Sequence, residues 1–161
     1  MTKGTQPTQL STQPVVVRKQ RKLVRMIRDR RGEVIISCHT QTCVNRFQIL
    51  QIARAIRSRG ADFAKIVVHT FNMDDVAELL KTSLELKKSI DLPFTLMNVE
   101  YYDKLDRLLS LLFGSAWVYC RTSDGRGFPG QPTVEEARTF LEFARIAKAG
   151  MSGRSEQSDK Y

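Results

Sequence analysis

One unit recurs four times along this chain, and it limits the folds open to it more than any other feature. A short apolar run, a turn and an amphipathic helix follow one another in each unit. The runs are VIISCH (34–39), KIVVHT (65–70), FTLMNV (94–99) and AWVYCR (116–121). β-Branched residues in short continuous runs fit strands covered on both faces. Helices follow at roughly 44–57, 74–88, 102–112 and 134–147, the third opening near Tyr102. Asn72 or Met73 stands near the second cap, and Thr133 followed by Glu136 is a capping-box pattern before the last helix. Strands alternating with helices at this spacing imply right-handed βαβ units and a parallel sheet. Four βα units equal half of a (β/α)8 barrel, and they equally suit a small open sheet. The pattern alone leaves both open.

The charge must be located before it is used. Net charge is +9, yet residues 1–32 hold nine Lys or Arg and one acid, Asp29, while the remainder holds 17 basic and 16 acidic residues. The body is therefore nearly neutral. Residues 1–17 read as a disordered leader, polar and broken by Pro7 and Pro14. From Arg18 to Arg31 a helix is expected, with Leu23, Val24, Met26 and Ile27 as one apolar stripe and Gly32 just past its end. The basic run reads as a solvated helix face rather than a nucleic-acid arm. The globular domain is expected over 18–150, followed by a disordered tail at 151–161.

Three cysteines (Cys38, Cys43, Cys120) are too sparse and odd a set for a disulfide scaffold, which points to a reducing compartment. No apolar run approaches the roughly 20 residues of a membrane helix. A cytoplasmic protein is the expectation.

In parallel α/β folds ligands sit at the carboxyl ends of strands. Near those ends lie His39, His69, Asn98, Arg107, Arg121 and Gln131. Period two places Lys65, Val67 and His69 on one strand face. Lys65 has two readings. It is a strand-entry lysine that snorkels to water, or it is an amine nucleophile whose charge is disfavoured by apolar surroundings. His39 is a hydrogen-bonded structural residue or a general acid/base. Zinc is not expected: Cys38, His39, Cys43 and His69 match no familiar spacing, and Cys38 should face away from His39. No Walker loop, dinucleotide fingerprint or GxSxG elbow is present. Met73 and Met97 read as core fillers.

The order of motifs IISCH, GADFAKIVV, RLLSLLFGSAWVYC and FPGQPTVEE resembles type I 3-dehydroquinate dehydratase. The resemblance covers roughly Leu23 to Ala147. It implies the C-terminal half of a (β/α)8 barrel and a Schiff-base lyase of aromatic amino acid biosynthesis that uses no metal or diffusible cofactor. Lys65 would form the imine with 3-dehydroquinate, His39 would move protons, Arg107 would hold the substrate carboxylate and Gln131 would assist. The family barrel has eight βα units, and its first half supplies a glutamate and arginines for the substrate hydroxyls and an acid that orients the histidine. Those features have no match in residues 1–32. Thr40 stands where the family has Asp or Asn, His69 and Val99 where it has Met, and Gly127 where a serine is typical, which removes one hydrogen bond to substrate. A second copy or another chain would then close the barrel. The alternative is a non-catalytic half-barrel serving as an assembly or regulatory module.

Overall fold

The computed structural model describes residues 14–40, 44–100 and 103–155. The expected leader up to residue 13, Cys43, Tyr102 and the end of the tail lie outside the described residues. The chain divides between Val118 and Tyr119 into two compact units.

The first unit is an α/β layer pair. Helix α1 spans Pro14–Arg28, beginning before the Arg18 start that the sequence predicts. Strands β1 (Ile35–His39), β2 (Phe63–Thr70) and β3 (Phe94–Glu100) form a parallel sheet in the order β1-β2-β3. Helices α2 (Arg46–Ser58), α3 (Met73–Ser89) and α4 (Asp103–Phe113) follow the strands in turn. Local chemistry fixes the helix starts. Asn45 and Gln48 form a reciprocal capping box on α2. Asn72 Oδ1 accepts the Asp75 N–H at 2.9 Å, which settles the α3 cap on Asn72.

The core lies between the sheet and its helices. Ile36 and Cys38 of β1, Ala64, Ile66 and Val68 of β2, and Phe94 and Leu96 of β3 pack with Ile49, Ala53 and Ile56 of α2 and Leu79 and Leu86 of α3. Burial alternates along β1: Ile36 and Cys38 are buried, while Ile35, Ser37 and His39 are exposed. One face of the sheet is thus covered by helices. The other carries Ser37, His39, Lys65, His69 and Thr95.

Two expectations about α1 need correction. Of its four-residue apolar stripe only Val24 is buried, while Leu23, Met26 and Ile27 are exposed. The left-handed residue beyond the helix is Arg31 (φ 59°), not Gly32. Gly32 is needed for a different reason: a Cβ there would lie 2.7 Å from Ile27 Cγ2.

The fourth strand does not form, and the outer edge of β3 shows why. Ala116 N–H donates to the Phe94 carbonyl at 2.7 Å, so the chain starts alongside β3. The next outward-pointing groups are already taken by side chains. Leu96 N–H donates to Ser115 Oγ (3.1 Å), Asn98 N–H donates to Asp106 Oδ2 (3.0 Å), and the Asn98 carbonyl accepts from Arg107 Nη2 (3.3 Å). An edge saturated by side chains has nothing left for a ladder. Residues 116–120 are accordingly not strand.

The second unit holds a closed loop and helix α5 (Val134–Ser155), which runs past the expected end at Ala147. Thr133 N–H donates to Glu136 Oε2 (2.7 Å) and Glu136 N–H to Thr133 Oγ1 (3.1 Å), the capping box read from the sequence.

Candidate active site

Strand register builds the site. Ser37 pairs with Lys65 and His39 with Val67 across β1 and β2. Lys65 pairs with Thr95, Val67 with Met97 and His69 with Val99 across β2 and β3. Alternation then places His39, Lys65, His69, Thr95 and Met97 on the face away from the helices. His39 shares a row with Val67 and Met97. Lys65 lies one pleat below that row and His69 one pleat above. From strand spacing and rise, His39 and Lys65 are diagonal neighbours with α-carbons roughly 8 Å apart.

Lys65 is not at the strand entrance. It is the third residue of β2, half-buried, with buried Ala64, Ile66 and Val67 beside it. His39 ends β1 and is exposed. Partial desolvation of its ring and then the positive charge of Lys65 both push its pKa below the ordinary histidine value. A histidine in that setting is a free base at neutral pH and can accept a proton.

Arg107 reaches the same row from α4. It is buried, and Nη1 lies 3.0 Å from the sulfur of Met97 while Nη2 donates to the Asn98 carbonyl. Met97 is therefore more than a core filler, because it is the surface against which the guanidinium rests.

Gln131 belongs to the second unit. Its Oε1 accepts the Phe128 N–H at 3.0 Å, so the side chain latches its own loop. Gly127 in that loop has φ 135°, and a Cβ there would lie 2.6 Å from Arg121 Cβ and 2.7 Å from Gln131 Oε1. The glycine is a requirement of this loop rather than simply a lost hydroxyl.

Thr40 is buried on the helix side, where its N–H donates to the Val67 carbonyl at 2.9 Å. Cys38 faces opposite to His39, and burial pushes its thiol pKa up, against a smaller opposing effect of Arg59. Among the described residues no three His, Cys, Asp or Glu side chains converge as a metal site.

Two residues that sequence reasoning passed over are Asp106 and Thr70. Asp106 is completely buried beneath Asn98, and Thr70 Oγ1 accepts from Asn98 Nδ2 at 2.6 Å. The available signal was a run of polar residues, Asp106, Arg107 and Ser110, at core-facing positions of an otherwise apolar helix.

The sequence pattern of the type I 3-dehydroquinase family matches residues 13–148. The chain belongs to this family. A relative from Aromatoleum aromaticum named 3-dehydroquinate dehydratase is 39% identical over 96 residues, covering 60% of this chain and 36% of the relative. A solved type I 3-dehydroquinate dehydratase from Clostridium difficile superposes with a TM-score of 0.74 at 25% identity, over 81% of this chain and 52% of that one. The solved 3-dehydroquinate dehydratase from Geobacillus kaustophilus gives a TM-score of 0.72 at 25% identity, over 80% and 50%. The family assignment makes the β1–β3 layer part of a (β/α)8 architecture rather than an independent open sheet. The chain spans from about a third to about half the length of the relatives it matches. Among the described residues no helix is long and apolar enough to cross a membrane.

Proposed function

We propose that this chain carries the imine-forming half of a type I 3-dehydroquinate dehydratase. The observation that supports the reading is the diagonal pairing of Lys65 and His39 on one sheet face, close enough for the lysine charge to act on the histidine. The Lys65 amine adds to the ketone carbon of 3-dehydroquinate, and loss of water gives an iminium. The iminium withdraws electrons from the neighbouring carbon, and His39 removes a proton there to give an enamine. The enamine expels the β-hydroxyl, which leaves as water with the proton returned by His39. Hydrolysis of the conjugated iminium frees Lys65 and 3-dehydroshikimate. Arg107 holds the substrate carboxylate as a charge-assisted partner. No metal takes part in this scheme.

A second reading keeps the fold without turnover, as an assembly or regulatory module. The exposure of His39 favours it, because it leaves the proton-transfer group in water. In the catalytic reading, further βα units from a second copy or another chain close that face.

The test is incubation of the purified protein with 3-dehydroquinate and sodium borohydride, followed by intact mass and peptide mapping. The expected result is a stable adduct on Lys65 that Lys65→Ala abolishes. Folded protein without an adduct sinks the catalytic reading in favour of the module.

A further inference from the structure

A buried polar hub sits where β2, β3 and α4 meet. Asn98 is its centre and is completely buried. Its side-chain amide donates to Thr70 at the end of β2. Its backbone N–H donates to Asp106 on α4. Its carbonyl accepts from Arg107, whose other terminal nitrogen contacts Met97. Asp106 and Arg107 are adjacent on α4 and both almost wholly excluded from water.

Burying a carboxylate and a guanidinium is costly unless the two compensate each other and their hydrogen-bond positions are filled. Such an arrangement has few alternatives. Here the members come from β2, β3 and α4 and all bond to Asn98, so a shift of one disturbs the others. Arginine suits the role because its planar fork fixes the direction of each donor.

We infer that Asp106, acting through Asn98, is a positioning residue that holds the Arg107 guanidinium against Met97, at the edge of the face that carries Lys65 and His39. Thr70 is the anchor on β2. The inference rests on the reading of Arg107 as the carboxylate-binding group. It adds that carboxylate recognition is set by Asp106, one residue earlier in the same helix, and by the strand beneath it. The hub also ties two functions together. The same side chains that close the outer edge of β3 aim the arginine.

The experiment uses Asp106→Asn, which keeps an acceptor for the Asn98 N–H and removes the charge, and Thr70→Val, which keeps volume and removes the anchor. Borohydride trapping at Lys65 is followed as a function of concentration for 3-dehydroquinate and for 3-hydroxycyclohexanone, a ring ketone without a carboxylate. The expected result for Asp106→Asn is a tenfold or greater rise in the half-saturating concentration of 3-dehydroquinate, with 3-hydroxycyclohexanone unchanged. Thr70→Val shifts it in the same direction by a smaller factor. Equal effects on both ketones, or none on either, overturn the inference, because a merely structural residue would not discriminate by carboxylate. A second readout needs no turnover: the 15N-resolved guanidinium resonance of Arg107. It is expected to be sharp and slowly exchanging in the parent protein and broadened in both variants, and unchanged resonances overturn the inference. Absence of any adduct in the parent protein, with the resonance behaving as expected, removes the catalytic reading and leaves the positioning intact.

Discussion

Replacing Asp62 by alanine tests how strands β1 and β2 are held together. Asp62 precedes β2 and makes three links. Its Oδ2 accepts the N–H of buried Val34 at 2.9 Å, its Oδ1 accepts Arg28 Nη2 at 2.7 Å, and its own N–H donates to the Val34 carbonyl at 2.9 Å. Asp62→Ala keeps only the last. Leaving the Val34 N–H without a partner costs about 1–3 kcal/mol. The Arg28 pair is exposed by 51% and 30% at its two ends, so its loss adds only about 0–1 kcal/mol. The sum is about 2 kcal/mol, or roughly a 4–8 °C fall in Tm for a chain of this size. Asp62→Asn retains an acceptor for Val34 and loses only the ionic part, so it should cost about 1 kcal/mol or less. Urea unfolding followed by far-ultraviolet circular dichroism measures both. An Asn variant as damaged as the Ala variant would show that the ion pair dominates, and an Ala variant equal to the parent would refute the clamp altogether. The pH dependence follows from the same geometry. The Val34 N–H above all holds the Asp62 carboxyl below the usual carboxylate range; burial opposes it, and the Arg28 hydrogen bond and charge add to the lowering. With the folded pKa lowered, the stabilisation is present above the unfolded value of about 4 and is lost as pH falls through the folded one. The gap between parent and Asp62→Ala should therefore close in acid.

Three further outcomes follow from named contacts. Lys65→Met removes the positive charge that helps depress His39, so the His39 titration, read from its ring proton resonances, should move upward, and no movement would contradict the diagonal pairing. Because His39 is depressed in the folded state, its own contribution to stability is present above the unfolded value of about 6.5 and fades as pH falls below it. Gly127→Ser, which introduces the residue typical of the family pattern, should cost about 1–2 kcal/mol for the left-handed backbone and about 1–3 kcal/mol for crowding Arg121 and Gln131. Hydrogen exchange at the Gln131 and Gly125 amides should then accelerate, and unaltered exchange would show that the loop accommodates a side chain. Ile56→Ala, at a fully buried position between α2 and the sheet, should lower stability by about 2–5 kcal/mol in urea with little change in slope.

Much of the site was legible because it rests on period two. Once KIVVHT is a strand, Lys65 and His69 must share a face, and IISCH places His39 opposite to Cys38 whatever surrounds them. The α3 and α5 caps were legible for the same reason, since Asn72, Thr133 and Glu136 act within one turn. The limits appear where distant groups compete for one backbone. AWVYCR has strand propensity, yet Ser115, Asp106 and Arg107 already occupy the edge it would join. Leu23, Met26 and Ile27 have a helical period that identifies a face without saying that the face is covered. The motif order marked Arg107, but its contacts with Met97 and Asn98 come only from packing.

From the amino-acid order alone came the βα alternation, the capping box of α5 and the shared face of Lys65 and His69. Each depends on residues within a few positions of one another, where backbone geometry leaves little choice. Packing was needed to show that Lys65 sits inside its strand, that Asp62 ties α1 to both strand starts, that Asn98 is a buried hub and that the fourth run does not extend the sheet. These depend on which distant donor reaches an acceptor first. Local periodicity carries no information about that, because every backbone N–H and C=O looks alike until packing brings its partner near.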